Sequence, residues 1–211
     1  MKVSMVKSVK PTGDIKKLID ALIPFAKVQE ILANKKIPYT NKRNCDIYLI
    51  LEGRVDIHRV HDSMVMATAK APVILGVTNQ TIADSDEFFF SSKTRAVFGI
   101  IPMKTFKEVV EKAGLWGSYA TYLTFIIKYM SVHSSEITAL SAYEIIRNQL
   151  INLEDESDYF RLNANAAQYI QERTLLSRSG IMHVLSQLKK GGYIIIENGV
   201  LIKVIRLPQK Y

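Results

Sequence analysis

The run Ser177-Arg178-Ser179-Gly180-Ile181-Met182-His183-Val184-Leu185-Ser186-Gln187-Leu188-Lys189-Lys190 holds the side chains best suited to gripping a ligand. Ile181, Val184, Leu185 and Leu188 recur at helical spacing and must pack inward. That turns Ser179, Met182, His183, Ser186 and Lys190 outward, with Arg178 in the first turn behind Ser177, a good N-cap. A guanidinium at Arg178 can meet guanine O6 and N7 in a bidentate pair, while Lys189, Lys190 and, further on, Lys203 suit phosphates. The chemistry implied is readout of double-stranded DNA by Ser177, Arg178, Ser179, Met182, His183, Ser186, Lys189, Lys190 and Lys203.

Other reactive groups are sparse. Cys45 follows Lys42 and Arg43, which would lower its pKa and favour a peroxide-sensing thiolate, although a lone cysteine is ordinarily inert. His58, His61 and Asp62 could ligate a metal, as in cupin-like metalloenzymes built on a β-roll. On an extended strand, however, residues three apart point to opposite faces, and no third ligand converges with them. Neither a nucleophile elbow, nor a phosphate-binding glycine loop, nor a pair of catalytic acids is placed to act. No enzymatic activity, metal or cofactor is expected. A single cysteine excludes an internal disulfide and any four-thiolate metal site within the chain.

The charge distribution agrees with a polyanionic partner. Of the net +8, +6 resides from residue 161 onward, where Arg161, Arg173, Arg178, Lys189, Lys190, Lys203, Arg206 and Lys210 face only Glu172 and Glu197. Such a concentration gains affinity for nucleic acid by releasing counterions, or else forms a solvated basic face. The longest uncharged stretch, Ala113 to Ile127, is too short to span a bilayer, and no secretory signal opens the chain. A cytoplasmic protein without membrane contact is expected.

The elements that must position these groups fall into three regions. An amphipathic helix spans Asp14 to Phe25, followed by short β-rich runs from about residue 35 to 102. Among them, Ile47 to Val60 reads as a hairpin about Glu52-Gly53, with Val55 and Ile57 alternating against Arg54, Asp56 and His58. The further candidates are Met64 to Thr68, Val73 to Val77, Glu87 to Phe90 and Thr94 to Ile101, together an all-β roll or barrel. Helical spacing begins at Lys104. Trp116, Leu123, Met130 and Ile137 then recur every seven residues, as do Tyr119, Ile126, His133 and Leu140.

The neighbouring stripe of Leu115, Tyr122, Phe125 and Tyr129 is also apolar. Two apolar stripes need two partners: the roll for one and a second copy of the chain for the other, although a helix buried within one subunit would satisfy the same pattern. The expected seam is Trp116, Tyr119, Leu123, Ile126, Met130, His133 and Ile137, with His133 a core residue rather than a pH switch.

An acidic run at Leu153 to Phe160 marks a compositional break, and a domain boundary is expected near it. Beyond it lie a helical stretch at Ala166 to Thr174, the helix opened by Ser177, and two strands flanking Asn198-Gly199. Two helices followed by a hairpin make a winged helix.

With those motifs in order, nearly the whole chain resembles the Crp/Fnr superfamily of bacterial transcription regulators. The segment YLILEGRVDI, Tyr48 to Ile57, is similar to the first hairpin of their cyclic-nucleotide-binding-like roll. A narrower resemblance, to the inhibitor-of-hydrogen-peroxide-resistance type, rests on YIQERTLLSRS, VLSQLKKGGYI and the terminal Arg206-Leu207-Pro208…Tyr211. The resemblance implies an α+β fold: a β-roll over 1–112, a dimerisation helix over 113–140 and a winged helix over 141–211. It further implies a homodimer, a double-stranded DNA partner, RNA polymerase as a further partner, and an effector that the sequence does not identify.

Three departures matter. The superfamily places an alanine or glycine in the first motif helix and a glycine at its turn, where this chain has Gln171 and Leu175. A non-glycine residue forced to positive φ costs about 1 kcal/mol, so a different turn geometry is expected. His183 stands where a second base-reading arginine is usual. In the roll, Leu75-Gly76-Val77-Thr78 replaces the phosphate-binding turn, with valine in place of the ribose-reading glutamate. Asp84, Asp86 and Glu87 follow instead of an arginine, and Arg95 comes too late for the cassette. Cyclic-nucleotide affinity is therefore not expected. The rival to a DNA-binding regulator is an adaptor that keeps the fold but acts through protein contacts.

Overall fold

The computed structural model describes residues 9–37, 46–77, 88–137 and 140–209, the side chains of 132–137 excepted. Cys45, Lys42, Arg43, Thr78, Asp84, Asp86, Glu87, Lys210, Tyr211 and the side chains of His133 and Ile137 lie outside that set. The chain divides into two units, Met1–Ser131 and Val132–Tyr211.

In the first unit, α1 (Thr12–Leu22) and a 3-10 turn (Ile23–Phe25) lead into β1 (Lys27–Ile31) and β2 (Lys36–Ile37). There follow β3 (Asp46–Glu52), β4 (Arg54–Arg59), β5 (Val65–Lys70), β6 (Val73–Leu75), β7 (Phe88–Ser92) and β8 (Ala96–Pro102). These form two antiparallel four-stranded sheets, ordered β1-β8-β3-β6 and β2-β7-β4-β5. The expected roll is present. The pattern reading missed β1 and β2, whose residues are mostly exposed and so lack a clean alternation.

Helix α2 (Met103–Lys112) packs with α1 and against β3 and β8, while Ile15, Leu18, Ile19, Leu22, Phe106 and Val110 fill the core beneath. Covered on both faces, Ile47 to Ile50 of β3 are all buried. The β3–β4 turn depends on Gly53, at φ +89°, because a Cβ there would sit 2.4 Å from the Arg95 carbonyl oxygen. One alternation expectation needs correction. Asp56 is 0% exposed, its Oδ1 accepting from the Thr68 hydroxyl at 2.7 Å and its Oδ2 lying 3.4 Å from Lys93 Nζ. A buried carboxylate of this kind persists because it is paired.

Helix α3 (Trp116–Ile137) covers the expected long register with nearly the expected rotation: Leu115, Tyr122 and Phe125 of the stripe expected against the roll pack there, Tyr129 is exposed, and of the expected seam Trp116 and Met130 are exposed. Tyr119 and Tyr122 are buried in the roll's own core, and Leu115, Leu123, Phe125 and Ile126 pack partly against it. The exposed line on α3 is Trp116, Ala120, Ile127 and Met130, with Leu123 half-buried between them. Tyr119, placed on the intersubunit seam by its seven-residue spacing, instead meets Phe106 edge-to-face at 5.2 Å between ring centroids. Both rows repeat every seven residues, so spacing could not tell which faced the roll.

Tyr122 fixes that rotation. Its hydroxyl donates to the Ile74 carbonyl at 2.5 Å and accepts from the Ile74 amide at 3.2 Å. Strand β6 is an edge strand whose other side pairs with β3, so the phenol stands in for a missing neighbour. Burial raises the phenol's pKa, which keeps the hydroxyl available as a donor.

The second unit contains α4 (Ala142–Glu154), α5 (Asp158–Arg161), α6 (Ala166–Gln171), α7 (Arg178–Lys190), β9 (Ile194–Glu197) and β10 (Val200–Val204). Its core combines Tyr143, Ile146, Leu150 and Leu153 of α4 with Ala166, Ala167, Ile170, Ile181, Leu185, Leu188, Ile194 and Leu201. The pattern reading missed helix α4, whose signal is the capping box at Ser141-Ala142-Tyr143-Glu144: the Ser141 hydroxyl accepts from the Glu144 amide, and the Glu144 carboxylate accepts from the Ser141 amide. The acidic run expected to mark a boundary is the connection between α4 and α5, inside this unit.

Tyr122→Phe deletes the hydroxyl while leaving the buried amide and carbonyl of Ile74 without that partner. The expected loss is about 1–3 kcal/mol of stability, measured by urea unfolding of the purified protein.

Candidate nucleic-acid interface

The residues singled out in the carboxyl-terminal motif converge on one surface because α7 has a single inward stripe. Ile181, Leu185 and Leu188 are buried and Val184 is half-buried. This fixes the helix about its axis and leaves Arg178, Ser179, Met182, His183, Ser186, Lys189 and Lys190 exposed. The Ser177 hydroxyl accepts from the Gly180 amide at 3.2 Å and lies 3.2 Å from the Ser179 hydroxyl. It closes the helix end as the N-cap rule requires. At the other end Lys189 and Lys190 occupy the last turn, where cations oppose the partial negative charge of the terminal carbonyls.

Helix α6 is shorter than the sequence suggested, ending at Gln171 rather than near Thr174. Six residues, Glu172 to Ser177, connect it to α7, and among them no positive φ occurs. Leu175 therefore adopts no left-handed backbone, the conformation for which a glycine would be needed. Close approach of the motif helices is served by Ala166 and Ala167, both buried.

The hairpin after α7 matches its sequence signal closely. Asn198 and Gly199 take φ of 48° and 83°, the two positive values that an Asn-Gly hairpin turn requires. The turn docks on the start of α6: the Ala166 amide donates to the Gly199 carbonyl at 2.8 Å, and the Asn165 side chain caps α6 through the Gln168 amide. A Cβ at position 199 would fall 2.4 Å from that Asn165 amide nitrogen. Strands β9 and β10 pair as Val200↔Glu197, Leu201↔Ile196, Lys203↔Ile195 and Val204↔Ile194, with a bulge between Leu201 and Lys203. The bulge leaves carbonyls out of the ladder. Arg161 takes them: its Nη1 donates to Leu201 O at 3.3 Å and to Ile202 O, while Nη2 pairs with Asp158 at 2.6 Å.

The electrostatics differ from the sequence count for that reason. Arg161 is largely covered, and Arg173 is buried over the Tyr169 ring at 3.8 Å, donating to the Tyr169 carbonyl and lying 3.6 Å from Glu172. Neither presents free charge to a ligand. The exposed cations among the described residues of this region are Arg178, Lys189, Lys190, Lys203 and Arg206. Lys203 is exposed as expected, its strand held at the far end by Glu154, which accepts from the Val204 amide at 2.8 Å. Glu154 and Asn165 were not singled out in the sequence, and Arg161 was counted only among the cations, since what they hold becomes visible only once the hairpin is folded.

Residues 142–209 match the family described as winged helix-turn-helix DNA binding. The second unit carries a winged helix-turn-helix DNA-binding domain. The chain is 26% identical over 208 residues to the inhibitor of hydrogen peroxide resistance of Escherichia coli K12, covering 98% of this chain and all of that one. The regulator CLP of Xanthomonas campestris, described as c-di-GMP responsive, superposes with a TM-score of 0.71 at 15% identity, over 92% of this chain and 100% of CLP. A protein from Eubacterium rectale described as a Crp/Fnr-family regulator superposes at 0.67 with 14% identity, over 89% of this chain and 88% of its own. The fold is therefore Crp/Fnr-like, roll and winged helix alike.

In the roll, Gly76 keeps the positive φ of a tight turn, +88°, but Val77 behind it is 4% exposed and part of the core. Arg95 lies just before β8, paired with Glu30 and 3.5 Å from Glu52. These ion pairs hold its guanidinium, raising its pKa and depressing that of Glu30 through their mutual hydrogen bond. His58 is likewise engaged: Nδ1 donates to the Ser63 carbonyl at 3.0 Å, Nε2 meets the Ser91 hydroxyl at 2.7 Å, and the ring stacks on Phe89. Asp62 pairs with Arg59, which holds its carboxyl at about 2. Among the described residues, no helix is long and apolar enough to cross a membrane.

Proposed function

We propose that this protein is a dimeric transcription regulator that reads double-stranded DNA with α7 and does not respond to cyclic nucleotides. The observation that carries the reading is the outer face of α7, where the side chains able to meet bases are exposed together because Ile181, Leu185 and Leu188 are buried. Arg178, Ser179 and His183 contact base edges, and Lys189, Lys190 and Lys203 lie toward phosphates. Residues 1–112 serve as the roll, 113–140 as the dimerisation helix and 141–211 as the DNA-binding part, working in the cytoplasm on promoters served by RNA polymerase. The name of the Escherichia coli relative supports a role in the response to peroxide.

The dimer reading rests on α3. Trp116, Ala120, Leu123, Ile127 and Met130 form an a/d-like line, and Ile127 is 67% exposed within the subunit. A second copy on the same line buries it by symmetry. The absence of cyclic-nucleotide affinity is supported by Val77 in the core and by Arg95 engaged with Glu30 and Glu52, so that among the described residues neither a ribose-reading carboxylate nor a free phosphate-reading guanidinium stands at the turn.

Selection of bound sequences from a random pool is expected to enrich an inverted repeat with half-sites about one helical turn, ~34 Å, apart. Arg178→Ala costs about 1–3 kcal/mol on the selected site and less on random DNA, whereas Lys203→Ala weakens both alike and lowers the salt slope by about one. If wild type enriches no motif, an adaptor function replaces this reading. Ile127→Asp places a charge on the seam without touching the subunit core, so light scattering is expected to report a folded monomer; a persistent dimer removes α3 as the interface. Calorimetry is expected to detect no binding of cyclic AMP, and micromolar binding, worth about −8 kcal/mol, overturns that part.

A further inference from the structure

Met182 stands out on the face just described. The other side chains exposed there, Arg178, Ser179, His183, Ser186, Lys189 and Lys190, all donate or accept hydrogen bonds, whereas Met182 is apolar and 50% exposed. It lies four residues after Arg178 and four before Ser186, on one exposed ridge of the helix and on the side of that face nearer buried Leu185. The core gains little from it, because Ile181 and Leu185 on either side in sequence already fill the interior. A glutamine or lysine at the same position would suit both water and a polyanion better.

The major-groove edges of the four base pairs offer one apolar group, the C5-methyl of thymine. A thioether on an unbranched chain is flexible and polarizable enough to pack on a methyl without fixed geometry. We infer that Met182 determines specificity by packing on a thymine C5-methyl group close to the base read by Arg178, since four residues span only about 6 Å along the helix. This rests on the reading that α7 enters the major groove, and it adds a chemical group, the methyl, that hydrogen bonding at Arg178 or His183 does not read. The contact removes one methyl group from water, so its expected size is about fourfold in affinity per thymine.

The test uses the full-length protein and the site selected by wild type, with each thymine replaced singly by deoxyuridine. That substitution deletes the methyl and nothing else. One replacement is expected to weaken wild type about fourfold, while Met182→Ala binds the thymine and deoxyuridine forms of that position equally. Thermal unfolding of Met182→Ala is expected to match wild type, since the side chain lies outside the core. If wild type selects a site and no deoxyuridine replacement changes its affinity, the inference is overturned and the DNA-reading function stands. It is overturned equally if Met182→Ala loses as much affinity on deoxyuridine replacement at that position as wild type does. If no site is selected, the inference falls together with the reading beneath it.

Discussion

The burial of Ile181, Leu185 and Leu188 is the constraint from which the exposed face of α7 derives. A helix of 13 residues presents one apolar stripe to its domain, and once these side chains enter the core with Ile170, Ile194 and Leu201 the rotation of α7 is set. Everything outward follows from that rotation: the guanidinium at Arg178, the imidazole at His183, the thioether at Met182 and the two lysines of the last turn. Energetically the surface depends on the core, since each buried leucine or isoleucine contributes about 1.5–3 kcal/mol and the exposed residues contribute little. The surface is free to specify a ligand because it is not needed to hold the fold.

The wing depends on a second set of interactions, and these are polar. Its turn docks through the Gly199 carbonyl on Ala166, its bulge is satisfied by Arg161, and its end is held by Glu154 on the Val204 amide. Buried carbonyls and amides without such partners are costly, so the domain draws its cations and carboxylates inward where the strands are irregular. The consequence for function is a smaller but more localised positive surface. Arg161 and Arg173 stabilise the domain, and the charge left for a polyanion is gathered on α7, β10 and Arg206.

The roll shows the converse situation. Its sheets, its glycine turns at Gly53 and Gly76, and the Tyr122 bond that aligns α3 with β6 are all intact. At the Gly76 turn Val77 lies in the core, and Arg95 is paired with Glu30 and lies 3.5 Å from Glu52. Architecture of this kind is maintained by apolar burial and backbone pairing, which do not depend on the ligand-reading side chains. A roll can thus keep its shape while its site changes.

Local signals in the sequence determined the β-roll from its alternating runs, the Asn198-Gly199 hairpin from its demand for positive φ, and the outward residues of α7 from the spacing of four apolar ones. Each is a short-range property in which neighbours along the chain dictate the answer. Three matters waited for the tertiary structure. Which row of α3 faced the roll was decided by Tyr119 and Tyr122 entering its core, because both rows share one period. Asp56 was read as an outward residue and is buried, because Thr68 and Lys93, which pair with it, come from elsewhere in the chain. The number of cations free to meet DNA was decided by Arg161 and Arg173 finding partners inside the domain. Composition counts charges, and only packing determines which of them remain in water.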